Sequence, residues 1–202
     1  EVQPWPRSQA AMRCEPEGDV IAHMESFLGP IDGGWSKTEA GERLPFTVLR
    51  FSGAPIPGTA TFVTLGLSDV ALALPGRQLV RQEFLVSTYD RFHSASIVTA
   101  LHDVAVDAAR RGDALLRGSV CAGPFGLPGV VTDLYCAIPV FFPDSFHVWR
   151  GSDPPTVFVW LVPITTEEHR FVEEKGWESF EQILESQDPD LLDLSRLGLS
   201  LQ

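Results

Sequence analysis

The chain has 202 residues, the length of one ordinary domain, and folding at this size hides roughly 70% of the surface of an unfolded chain. Hydrophobic residues make up 44% and charged residues 21%, which excludes a disordered chain. A formal charge of −12 excludes a nucleic-acid binder, whose phosphate contacts need a basic face, and argues against docking on anionic membranes.

Residues 1–17 are polar and proline-bearing and read as a loosely ordered tail with no secretory signal. The chain starts at Glu1, and Met12 is a candidate native start. Residues 18–202 read as a single domain. Its first helix begins at Asp19, a good N-cap, and carries Val20, Ile21, Met24, Phe27 and Leu28 at helical spacing before Gly29-Pro30 stops it. His23 lies among these apolar residues and reads as a structural histidine. Residues 31–41 read as a turn-rich link carrying Trp35.

Three strands follow, at residues 46–51, 59–67 and 79–87, each β-branched or aromatic. A second helix is capped by Ser94 or Ser96. Ile97, Val98, Leu101, Val104, Ala105 and Ala108 form its apolar stripe, and Arg110, Arg111 and Gly112 close it. His102 and Asp103 are neighbours on it and should point apart, so His102 reads as structural. Residues 115–122 read as a strand and 123–129 as a glycine- and proline-rich loop without a P-loop ending. Residues 131–142 and 156–164 are strongly apolar and read as central strands covered on both faces. The loop 143–155 between them carries Phe146, His147 and Trp149.

The last forty residues read as helical and acidic. Thr165 and Glu168 match a capping box, Gly176 breaks the helix, and a second helix carries Trp177, Phe180, Ile183 and Leu184. Asp188-Pro189 suits the start of a third, with Leu191, Leu192 and Leu194. From Thr165 onward ten acidic and three basic residues leave −7, over half of the total of −12. Strands flanked by helices at the start, middle and end imply an α/β fold, a mixed and partly antiparallel sheet covered by helices on both faces.

Catalytic signatures are sparse. There is no nucleophile elbow, no H-E-x-x-H and no Walker motif. The three cysteines, Cys14, Cys121 and Cys136, are widely spaced, which argues against a disulfide framework or zinc site and fits a reducing cytoplasm. A Cys136–His147 dyad, or paired carboxylates among Asp69, Glu83, Asp90, Asp133 and Asp144, are the routes left to a hydrolase-type cleft site.

Several segments, taken in order, resemble a known family: LPFTVLRFSG (44–53), TFVTLGLSD (61–69), RQEFLVST (81–88), GPFGLPGVVTDLYCAIPVFFPD (123–144) and the closing FVWLVPITTEEHRFVEEKGWESFEQILESQDPDLLDLSR (158–196). Together they resemble the Suppressor of fused domain in its compact bacterial version, over residues 18–198. The resemblance implies a non-enzymatic binding protein without cofactor or metal. Bacterial relatives look like immunity proteins that neutralise a cognate toxin by binding it; the larger animal relatives sequester a transcription factor and add a second domain. The partner expected here is a protein, a basic toxin domain being the leading candidate. A general interaction domain without a toxin partner is the other non-enzymatic reading. Independently of the resemblance, the charge after Thr165 and the aromatic loop nominate Phe146, Trp149, Glu173, Glu174 and Glu178 as partner contacts, an aromatic anchor with a charged rim.

Overall fold

The computed structural model describes residues 19–37 and 43–201; the tail at 1–17, with Met12 and Cys14, lies outside them. Asp19 accepts a hydrogen bond from the Ala22 amide and starts α1, Val20–Leu28, which ends at Gly29. Residues 33–37, read from sequence as part of a link, form a strand instead, β1 (Gly33–Lys37). Pairing with β2 (Arg43–Ser52) gives that glycine-bearing segment the hydrogen bonds its own composition does not announce. β3 (Thr59–Leu65) and β5 (Leu79–Tyr89) continue the antiparallel run, with the two-residue β4 (Leu72–Ala73) pairing to β5.

The second helix, α2, spans Ser94–Arg111. His93 occupies the N-cap position rather than Ser94 or Ser96, and Gly112 terminates the helix. The expected strand at 115–122 shrinks to β6, Val120–Cys121, because residues 116–119 form a turn closed by the Ser119 amide on the Leu116 carbonyl. β7 (Val131–Ala137) is also shorter than expected. The chain leaves the sheet after Ala137, and β8 (Val148–Trp149) takes its place beside β9 (Thr156–Thr165). β7 therefore lies one strand from the edge while β9 sits inside the sheet beside the middle strand β5, in the order β1-β2-β3-β5-β9-β7-β6. β5 and β9 pair in parallel and all other neighbours antiparallel, so the sheet is mixed.

Helices cover both faces. On one, Ile97, Leu101 and Ala105 of α2 pack on Phe62, Phe84, Leu134 and Leu161. On the other, Met24 of α1 with α3 (Thr166–Lys175) and α4 (Trp177–Gln187) cover Phe51, Leu85, Tyr135, Trp160 and Val162. The period-2 alternation of β9 sends Val159 and Leu161 to one core and Phe158, Trp160 and Val162 to the other.

The capping box forms as expected: Thr165 accepts from the Glu168 amide while Glu168 accepts from the Thr165 amide. The third C-terminal helix does not form. Asp188 takes a left-handed conformation that closes α4, and residues 189–201 run without regular helix. A buried ion pair holds that segment instead. The Arg196 guanidinium donates to both oxygens of Glu168 at 2.7 Å and to the Pro163 carbonyl, and Glu168 also accepts from the Leu199 amide. Leu192 and Leu194 are buried, so the apolar residues that suggested a helix are core contacts of an irregular strap.

Candidate functional site

The acidic residues lie where α3 and α4 meet solvent. Glu173, Glu174 and Glu178 are all exposed. Glu173 reaches to 3.5 Å from His169 Nε2, one turn back on α3, and His169 Nδ1 lies 3.2 Å from the buried Asp133. Asp133 also accepts from the Gly123 amide, so it ties the 123–129 loop to α3. On α4, Glu178, Glu181 and Glu185 stand at i, i+3 and i+7, one face of the helix.

Beside that face is a groove of about 230 Å³. Tyr135, Trp160 and Val162 form its floor, Leu184 and Glu185 one wall, and Ile138 and Val140 the other. The sequence builds it in three steps. β7 ends at Ala137, and the backbone turns out of the sheet through Pro139, leaving Val140 69% and Phe141 42% exposed. Trp160, in the core on the same side as α4, has the Phe141 ring 4.9 Å away. Gly118, at φ +88, lets the 116–119 turn press on Trp177, where a Cβ would sit 2.5 Å from the indole. That turn delivers Arg117 to the groove's end, stacked over the Trp177 ring at 4.7 Å and forked onto Glu181. Glu181 also accepts from the Tyr135 hydroxyl at 2.9 Å. Burial, with that carboxylate beside it, pushes the Tyr135 phenol well above its usual range.

The aromatic loop differs from expectation. Phe146 is fully buried, packed against Phe158, Phe142 and Phe27, and its carbonyl bonds the His23 ring nitrogen at 3.0 Å. It is a core residue, because the short 3₁₀ turn Asp144–Phe146 points it inward under α1, and it is not available as a surface contact. Trp149 is half-buried on β8, with its indole packed over Gly151. Phe141, which reads from sequence either as the start of an apolar anchor loop running to Trp149 or as the end of a buried strand, is the exposed aromatic, while Phe142 is buried.

Several of the residues that left an enzyme open are committed elsewhere, while Asp69 and Asp144 are exposed. Cys136 is buried and its thiol is hydrogen-bonded to Cys121, which with burial raises it well above the ordinary thiol range. His147 bonds the Pro139 and Phe142 carbonyls, so the dyad does not assemble. Glu83 is fully buried and accepts from Thr64, from the Gly66 amide and from both the amide and hydroxyl of Ser68. It fastens the Leu67–Asp69 turn, and burial raises its carboxyl to about 6 despite those bonds. Asp90 pairs with Arg50. His102 and Asp103 do not diverge as expected: the ring nitrogen Nδ1 lies 3.5 Å from the carboxylate. Among the described residues no group of three His, Cys, Asp or Glu is arranged to hold a metal, and no helix is long and apolar enough to cross a membrane.

The family model of the suppressor of fused protein matches residues 42–197. Among solved structures, a protein assigned as a suppressor of fused homolog from Neisseria gonorrhoeae FA 1090 superposes with a TM-score of 0.70 at 20% identity, over 90% of this chain and 95% of that one. The Sufu–Fu complex matches with a TM-score of 0.57 at 12% identity, over 82% of each chain. At those identities the two structures speak for the fold. No curated protein matches the sequence.

Proposed function

The chain belongs to the suppressor of fused family, and from that premise we propose that it is a protein-binding domain, not an enzyme, that captures a basic protein partner on the acidic face of α3 and α4. The observation that carries the reading is the concentration of exposed charge on α3 and α4, where Glu167, Glu173, Glu174, Glu178 and Glu185 face solvent against Arg170 and Lys175. An acidic face of this kind accelerates encounter with a basic partner and orients it. Support also comes from the Sufu–Fu complex, a protein–protein assembly of the same fold. The structural employment of Glu83, Asp133, Cys136 and His147 points the same way, since it leaves those groups tied to the scaffold.

The finer proposal is that the partner is a toxin domain, neutralised by direct binding in the cytoplasm. It is supported by the match over 90% of this chain and 95% of the bacterial homolog, and by the family resemblance of the sequence. Trp149, half-buried on β8 beside the first residues of β9, adds an apolar contact. The test is binding kinetics with a candidate basic toxin domain, at two salt concentrations. Reversing Glu173, Glu174 and Glu178 to Lys slows association at low salt and flattens its salt dependence. An unchanged association rate overturns the acidic-face reading.

A further inference from the structure

We infer that the groove between α4 and the 138–141 segment is the anchor site of that partner, taking an aliphatic or aromatic side chain from a segment whose flanking residues are Lys or Arg. This rests on the protein-binding reading above and assigns it a specific place. Three observations converge. The groove is apolar where it is deep and its rim is exposed apolar surface, with Ile138, Val140 and Phe141 at 38%, 69% and 42% exposure. Such contiguous surface is costly for a chain that leaves it bare.

Next, the wall is acidic. Arg117 is forked onto Glu181, so its charge is spent inside the site. Glu178 and Glu185, on the same helix face, are exposed and carry no ion pair among the described residues. With Arg117 engaged by Glu181, Glu185 leaves the groove lining with a net negative charge, which complements a cationic amphipathic segment and repels an acidic one. Finally, Trp160, only 2% exposed on the groove floor, has an indole N–H with no acceptor. A buried donor left unpaired is costly, and the backbone carbonyl of a bound segment would supply the missing acceptor. The groove also runs on past Arg117, Ala137 and Ile138 into a second hollow of about 360 Å³, so its length suits an extended segment better than a compact solute.

The experiment uses the full chain and a fluorescein-labelled peptide of Lys and Arg around a central Leu-Phe pair, read by anisotropy. Its companion carries Ala-Ala at the centre. The Leu-Phe peptide binds the wild type about tenfold tighter than the Ala-Ala peptide, the effect of burying one such side chain. Val140→Glu abolishes that difference, and Glu185→Lys weakens both peptides. Both positions are exposed, so the variants keep the wild-type circular dichroism. Equal binding of the two peptides by the wild type overturns the groove. So does a Leu-Phe preference that survives Val140→Glu. Loss of binding on reversing Glu173, Glu174 and Glu178 with no response to Val140→Glu also overturns the groove while keeping the acidic-face reading. A wild type that binds neither peptide overturns the groove, and the acidic-face reading then stands or falls on the toxin-domain kinetics. Self-association that disappears in Val140→Glu assigns the groove to a second copy of the chain and overturns the basic-partner occupant.

Discussion

Arg196→Met tests how the C-terminal strap is held. The wild-type guanidinium makes two 2.7 Å bonds to Glu168 and two more, at 3.1 Å, to the carbonyls of Pro163 and Leu197. Glu168 is 0% exposed, and without Arg196 its carboxylate keeps only the Thr165 and Leu199 amides, both at 2.9 Å. Removing one partner of a buried pair costs about 3–5 kcal/mol, chiefly the stranded charge. For a domain of this size that is a fall in Tm of about 6–20 °C. The second variant, Glu168→Gln with Arg196→Met, keeps an acceptor for the cap but removes the charge, and recovers about 2 kcal/mol of the loss. Urea unfolding followed by tryptophan fluorescence measures both. A loss below about 1 kcal/mol for Arg196→Met, the range of exposed pairs, refutes the reasoning.

The remaining expectations concern separate sites. Between pH 4.5 and 6 the folded Glu83 carboxyl still holds its proton while the unfolded one has lost it, so its contribution favours folding below that window and is lost as the pH rises through it. The change amounts to about 2 kcal/mol. Unfolding free energies of wild type and Glu83→Gln across that range should therefore diverge by about that amount, and parallel curves would falsify the assignment. Gly123→Ala places a Cβ 1.9 Å from the Thr132 carbonyl oxygen, which forces the 123–129 loop off β7. It lowers stability by about 1–3 kcal/mol in thermal unfolding, and a neutral result shows that the loop is free to shift. Trp149→Ala speeds dissociation of the partner with little effect on association; a dissociation rate equal to wild type in a folded variant removes Trp149 from the interface.

How far the sequence discloses this molecule depends on whether the signal is local. α1, α2, α3 and α4 are written in caps, stripes and stop residues a few positions apart, and they form where those signals place them, except that α2 starts from His93 rather than a serine cap. β1 is invisible because Gly33, Gly34 and Ser36 carry no strand signal; its pairing comes from β2. The early exit of β7 at Ala137 is hidden for the opposite reason. Residues 138–142 are as apolar as a strand, and only Pro139 hints at the break that opens the groove. Leu191, Leu192 and Leu194 mimic a helical stripe, yet the Glu168–Arg196 pair that fixes them joins residues 28 apart. The exposed acids on α3 and α4 were legible as charge. Which aromatic faces solvent was not, because one residue of register separates Phe141 from Phe142 and the 3₁₀ turn that buries Phe146 is set by packing under α1. The Arg117–Glu181–Tyr135 cluster gave no signal at all: a turn, a helix and a strand meet there only after folding.

Capture of a basic protein by the acidic α3–α4 face is tested most directly by stopped-flow association with a candidate basic toxin domain, comparing wild type with the Glu173→Lys, Glu174→Lys, Glu178→Lys triple variant at low and high salt. All three side chains are exposed, so the fold is preserved. The wild type should associate about tenfold or more faster at low salt than the variant, and the two rates should converge at high salt. Equal rates at low salt, or no complex with the wild type, would contradict the proposed function.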